Sequence, residues 1–302
     1  MGAEFDVLGL GAVTVDFTGT VAAWPREGGR MLVENFALHA GGLIGTALSA
    51  AARLGGRVGW LGMLGSSPMA ERALADLERE GIDTSLVVRA DGAEPMLAFI
   101  YANPADGQRT ILWTRSGSRF PLPGEIPDPR WTERARVFLF DGESGPAGVA
   151  AARAARGRGL PVVLDIIQNE AHVPDAIRWS SHVIVSQRFA ALYTGRDRLP
   201  DMLRGMRADP SQTVVVTRGE HGCVGLSGDR EFALPAFRVK AVETTGCGDA
   251  FHGAFALALA QGRDDLEAAR FASAVGALCA TRTGGRDGLP NRAELERFLA
   301  AQ

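Results

Sequence analysis

The stretch 243–255, ETTGCGDAFHGAF, sets a glycine-rich turn and a carboxylate at the mouth of a long small-residue helix. A helix start carries unpaired backbone N–H groups and the positive end of the macrodipole, so Gly246, Cys247 and Gly248 can wrap main-chain donors around an anion. Asp249 then stands beside the anion pocket. A carboxylate next to a phosphate costs electrostatic energy, and that cost is easiest to explain if the carboxylate takes the proton of an attacking hydroxyl, as in phosphoryl transfer. Taken alone, the same residues also read as a capped helix behind a glycine-rich turn.

The elements that position this turn are legible as alternation. Apolar runs near Val7, Val58, Val137, Val162, His182 and Thr213 read as buried parallel strands, and alanine-rich stretches 46–54, 69–80, 146–159 and 199–208 read as helices between them. This is the pattern of an α/β fold with a sheet covered on both faces. Helices 250–261 and 265–281 are expected to close the chain, and 117–129, rich in proline and glycine, to run over the surface. Two stretches break the alternation. Residues 17–38 and 86–113 hold short alternating segments such as RMLVENFAL and MLAFIYA, which predict a small antiparallel sheet acting as a lid, or else edge strands of the main sheet.

Further polar residues fall where strands end. Asp16 lies just beyond the run VLGLGAV, at the carboxyl edge of a sheet, where α/β proteins place ligands; there it either accepts hydroxyl bonds or makes a turn. Asp141 and Glu143 follow VFLF and by position alone read as loop acids. Gly41 and Gly42 let backbone approach a ligand closely, or simply turn the chain.

These residues together carry a resemblance. From residue 7 to about residue 298 the chain resembles the ribokinase-like (PfkB) carbohydrate kinases: the G-x-G-D turn is matched by Gly246, Cys247, Gly248 and Asp249, and the N-terminal signature by Asp16, Gly41, Gly42 and TALSAAARLG. The resemblance implies a three-layer α/β/α sandwich with a mostly parallel central sheet, a single kinase domain over 1–302 and a small β lid. It implies Asp249 as general base, the 246–249 turn as anion hole, and a sugar held by Asp16, Gly41, Gly42, Thr46, Asp141 and Glu143. TVVVTRGEHGCVGL resembles the strand and turn beneath ATP, with Thr217, Gly219 and Gly222 in place, and Ser273 and Gly276 would line the adenine. TRTGGRDGLP resembles a loop that holds a monovalent cation, supplied here by Glu243, Thr245, Arg282, Gly284 and Gly288, although Arg282 and Arg286 also read as solvated surface charges.

Several positions depart from the family. Cys247 stands where alanine is usual and reads as a spacer, Thr46 replaces an asparagine, and Glu243 replaces an aspartate. VSQRFAALYTG offers Ser186 and Phe189 where the family often has N-x-x-E. The tail is closest in feel to ketohexokinase-like and sulfofructose-kinase-like members. The expectation is an ATP-dependent sugar kinase using Mg2+, with K+ as activator, acting on the primary hydroxyl of a ketose or furanose. The alternatives are a nucleoside kinase, with Trp24, Phe36 and Trp113 walling a base, and a catalytically silent binding protein. A dinucleotide-dependent oxidoreductase is set aside because GLGAVTVD lacks G-x-G-x-x-G spacing.

Composition narrows the partners. The 302 residues carry a net charge of −3, which offers nothing to attract nucleic acid or an anionic membrane. Cys223, Cys247 and Cys279 lie far apart without metal-ligand spacing, and no leader or membrane span is read, so a reducing cytoplasm is expected. Exposed lid strands would pair two copies into a homodimer.

Overall fold

Strands whose side chains alternate between two buried faces require helices on both sides. In the computed structural model, which describes residues 3–103 and 109–301, the strands are β1 (Phe5–Leu10), β2 (Thr14–Thr20), β3 (Glu34–Gly41), β4 (Val58–Leu61), β5 (Met63–Leu64), β6 (Val88–Arg89), β7 (Met96–Ala102), β8 (Arg109–Thr114), β9 (Ala135–Asp141), β10 (Val162–Asp165), β11 (His182–Ser186), β12 (Thr213–Thr217), β13 (Cys223–Ser227) and β14 (Arg230–Leu234). The helices are α1 (Leu43–Arg53), α2 (Pro68–Arg79), α3 (Gly145–Gly157), α4 (Val173–Arg178), α5 (Gln187–Thr194), α6 (Leu199–Gly205), α7 (Cys247–Ala260), α8 (Asp265–Cys279) and α9 (Arg292–Ala300).

The main sheet runs β14-β13-β12-β11-β10-β9-β1-β4, parallel from β4 to β12, with β13 and β14 added antiparallel at one edge. Alternate residues of one strand enter different cores. Val137 and Leu139 pack with α1, α2, α7 and α8, whereas Phe138 and Phe140 pack with α3 to α6. The result is a three-layer α/β/α sandwich.

Small residues bring α7 close to α1. A Cβ on Gly253 would stand 1.9 Å from the Ala47 carbonyl oxygen, a backbone contact that no rotamer change relieves. Gly253→Ala is therefore expected to destabilise the fold by about 1–3 kcal/mol, measurable as a lower urea midpoint.

Helix starts follow local chemistry. Ser67 caps α2 by accepting from Ala70 N, with Pro68 behind it, and Asp264 forms a reciprocal capping box with Glu267 at α8. Helices α4, α5 and α9 were not expected from periodicity; α9, rather than 265–281, closes the helical order. All three are short, and α9 shows only one apolar triad, Leu295, Phe298 and Leu299, so the periodic signal is weak in each of them.

The two irregular stretches form a second sheet, ordered β3-β2-β7-β8. It is mixed rather than antiparallel, because β2 and β7 pair in parallel from Thr14↔Met96 to Thr20↔Ala102. Each stretch folds locally as an antiparallel pair, but β4 and α2 intervene between β3 and β7, and a crossover of that length permits parallel neighbours. Positions 104–108 of the expected 86–113 stretch lie outside the described residues.

Candidate active site

In an open α/β sheet, ligands gather at the carboxyl ends of strands where the chain changes direction across the sheet. That switch lies at β1, which has β4 on one side and β9 on the other. Asp141 ends β9 and Asp165 ends β10, while Asp16 lies on β2, which follows β1. Helix α7 packs across β1, β9 and β10, which delivers its N-terminus, and with it Asp249, to the same edge.

Gly246 precedes α7 at φ 74°, and a Cβ there would meet the Gly285 backbone at 3.0 Å. Only glycine turns the chain here without strain. Gly248 is exposed and Asp249 half-buried. Burial raises the Asp249 carboxyl well above the ordinary range; the charges of Asp165 and Asp141 push it further, Cys247 adds to this, and Arg286 opposes it. The arrangement offers backbone donors beside a carboxylate of enhanced basicity, which is what a hydroxyl attacking a phosphorus requires.

Behind Asp249, His252 ties α7 to the sheet. Its Nδ1 lies 2.8 Å from Gly248 O and 3.3 Å from Asp165 Oδ2, and its Nε2 lies 3.0 Å from Ile184 O on β11. Burial raises the Asp165 carboxyl and His252 pulls it partly back. Neither residue stood out in the sequence.

The sugar-side residues divide. Asp16 is half-buried, accepts from Thr14 Oγ1, and has its carboxyl raised first by burial. Gly41 abuts that carboxylate, where a Cβ would stand 2.2 Å from Asp16 Oδ2, and Gly42, at φ 89°, passes so close that a Cβ would reach Ala12 O at 2.4 Å. The glycine pair thus serves a sharp turn and leaves room for the Asp16 carboxylate. Thr46 is buried in the first turn of α1. Asp141 corrects the expectation of a ligand-facing acid. It is 1% exposed, with Oδ2 accepting from Ala12 N at 2.7 Å and Oδ1 from Ser144 N at 3.0 Å, so it staples two turns together. Glu143 remains in a cleft lined also by Leu43, Gly142, Asp165, Ile167, Gln168 and Glu170. Arg115 Nη1 lies 3.7 Å from Glu143 Oε2, and burial raises the Glu143 carboxyl, with Arg115 opposing. Glu143 Oε2 and Asp165 Oδ2 are buried without a hydrogen-bond partner. Arg286 is also not a solvated charge: it is 4% exposed and donates from Nη2 to Gly41 O at 2.6 Å.

On the far side, Thr217 ends β12 and donates to Val185 O. Gly219 and Gly222 flank a 3₁₀ turn, and Gly222 needs its missing Cβ, which would stand 2.0 Å from Leu234 O. Ser273 bonds back to Ala269 O within α8, and Gly276 faces Cys247 O at 3.3 Å from its virtual Cβ, so its small size lets α8 approach the turn that opens α7. Ser186 and Phe189 have structural employment: Ser186 caps α5 by accepting from Phe189 N, and Phe189 is buried.

The loop residues proposed for a cation do converge, but as a cross-linked knot. Glu243 Oε2 accepts from Gly284 N at 2.9 Å, Oε1 from Thr245 Oγ1 and from Arg109 Nη1, and Gly288 N donates to Gly284 O at 2.6 Å. Gly288 has no room for a side chain, since a Cβ would stand 2.8 Å from Gly284 O. Arg282 turns away to pair with Glu294 at 2.7 Å.

Residues 5–292 match the family model described as pfkB family carbohydrate kinase. The chain belongs to that family. This PfkB-family carbohydrate kinase is similar to fructokinase-1 of Oryza sativa subsp. japonica, at 29% identity over 97% of each chain. It is also similar to the ribokinase of Bacillus subtilis (strain 168), at 25% identity over 96% of this chain and 98% of that one. Its fold is that of Arabidopsis thaliana ribokinase solved with ribose and ATP, at a TM-score of 0.87 and 20% identity over 99% of each chain.

In this PfkB-family kinase Cys247 is the middle residue of the glycine-rich turn that opens α7, half-buried and with a free thiol. A hydrogen bond from Cys279 lowers the Cys247 thiol and raises that of Cys279. No step of phosphoryl transfer calls on a thiol, so Cys247→Ala is expected to keep kcat within about twofold. Iodoacetamide should still inactivate the wild type by placing bulk in the turn, and the variant should resist it; an inactive Cys247→Ala would contradict the spacer role.

Proposed function

We propose that the chain transfers the γ-phosphate of ATP to a primary hydroxyl of a sugar, with Asp249 as general base and the Gly246–Cys247–Gly248 backbone as anion hole. The observation that carries this reading is the juxtaposition of that turn with a carboxylate whose basicity is raised by burial and by Asp165 and Asp141. Ionised Asp249 takes the hydroxyl proton, and the N–H groups at the start of α7 stabilise the charge developing on the transferred group.

The sugar is received at the carboxyl edge of the main sheet, where the closed cleft beside Glu143 opens to admit it, with the second sheet acting as a lid. Glu143 Oε2 and Asp165 Oδ2 supply acceptors that are already desolvated and without a hydrogen-bond partner, although each faces a basic side chain, Arg115 and His252, and Asp16 adds a third carboxylate. A cleft rich in acceptors suits a neutral polyol better than a sugar acid, and a ketose or furanose fits this preference. Thr217, Gly219 and Gly222 lie on the nucleotide side. Mg2+ would come with the nucleotide and be held chiefly by its phosphates, since Ser186 and Phe189 bring no carboxylate to it.

Ile111, Leu112 and Trp113 on the edge strand β8 are 47%, 52% and 40% exposed. Burying them supports a homodimer through the second sheet, to be checked by sedimentation.

The function is tested by ADP release with Mg-ATP across ketoses, pentoses, sugar acids and nucleosides. Sugar-dependent release supports the reading. Release with nucleosides alone, or no release despite measurable nucleotide binding, overturns it.

A further inference from the structure

Arg109 begins β8 in the second sheet, yet its guanidinium ends at the loop before the anion hole. Nη1 lies 2.6 Å from Glu243 Oε1 and also donates to Thr245 Oγ1. Glu243 is thus joined to the second sheet through Arg109 and to the 282–288 loop through Gly284 N. That loop in turn touches the anion hole, where Gly285 backs directly onto Gly246. The other arginines of the loop are engaged elsewhere, Arg282 with Glu294 and Arg286 with Gly41 O. A second tie runs from the opposite edge of the second sheet: His39 Nδ1 on β3 lies 3.1 Å from Asp287 Oδ2.

Both oxygens of the Glu243 carboxylate are therefore occupied, and its charge is met by a cation on the second sheet. The Glu243, Thr245, Arg282, Gly284 and Gly288 set does not fit a free monovalent ion in this arrangement, because such an ion would have to displace a guanidinium that is covalently part of the chain.

Resting on the kinase reading above, we propose that Arg109 is the resident cation of the loop behind the anion hole: a positioning residue that supplies the charge a monovalent ion would bring and ties the second sheet to the start of α7. Potassium is then dispensable in the wild type. Removing the guanidinium leaves a carboxylate among hydroxyl and carbonyl oxygens, the kind of donor set that accepts K+.

The test compares full-length wild type, Arg109→Ala and Arg109→Lys in KCl and in tetramethylammonium chloride of equal ionic strength. Thermal melting is followed without substrates, and ADP release with whichever sugar turns over. Wild-type melting and kcat should be the same in both salts to within about twofold in rate. Arg109→Ala should lose about tenfold in kcat in tetramethylammonium, recover most of it in KCl, and melt higher only in KCl, because an ion that binds the folded state alone raises its stability. Arg109→Lys should stay closer to wild type. A wild type that needs K+, or whose melting rises with K+ as much as the variant's, overturns the proposal, as does an Arg109→Ala variant indifferent to K+ in both readouts. Melting needs no turnover, so it is read even if the kinase assignment fails.

Discussion

Asp249→Asn is expected to lower kcat by about 10³-fold or more while making the folded protein more stable at neutral pH. The two effects share one cause. The Asp249 carboxyl is raised well above its ordinary value by burial and by the Asp165 and Asp141 charges. A group whose folded pKa is raised opposes folding at a pH where it is ionised in both states, and the opposition fades as pH falls to the ordinary carboxylate range near 3.8. Asparagine keeps the shape and removes the charge. Thermal melting of the variant should therefore exceed that of wild type at pH 7 and converge with it toward pH 4. Loss of activity with loss of stability would instead mark Asp249 as a structural cap.

His252→Ala is expected to cost about 3–5 kcal/mol of stability. The ring joins Gly248 O in the first turn of α7 to Ile184 O on β11 and stands beside the buried Asp165 carboxylate. Truncation leaves two carbonyls without their partner and a buried acid without the ring beside it. Urea unfolding reads the loss directly. Because the same bonds fix the turn that carries Asp249, kcat should fall in the variant even where it remains folded, with a smaller change in KM. An unchanged midpoint would show that the ring is dispensable.

What the sequence made legible follows the range of the interactions involved. The strand runs near Val7, Val137, Val162 and Thr213 stand out because residues buried on both faces leave no polar gaps, and the start of α7 stands out because glycines and an acid must be contiguous to make an anion-binding turn. The roles of Asp141, His252 and Arg109 were not legible. Asp141 is fixed by an amide 129 positions away, His252 by a carbonyl 68 away, and Arg109 by a carboxylate 134 away. No local spacing encodes such partners. Arg286 misled for the same reason: a charged residue in a glycine-rich loop reads as solvated until the Gly41 turn closes over it. The mixed order of the second sheet was hidden because each stretch, taken alone, specifies only its own antiparallel pair.

Asp249 acting as a base beside two further acids is tested most directly by the dependence of kcat/KM for the sugar on pH. A base must be ionised to act, so the rate should fall as pH drops through the carboxyl's folded pKa, with the acid limb lying well above the ordinary carboxylate range. A limb within the ordinary range, or a profile flat down to it, would contradict the account.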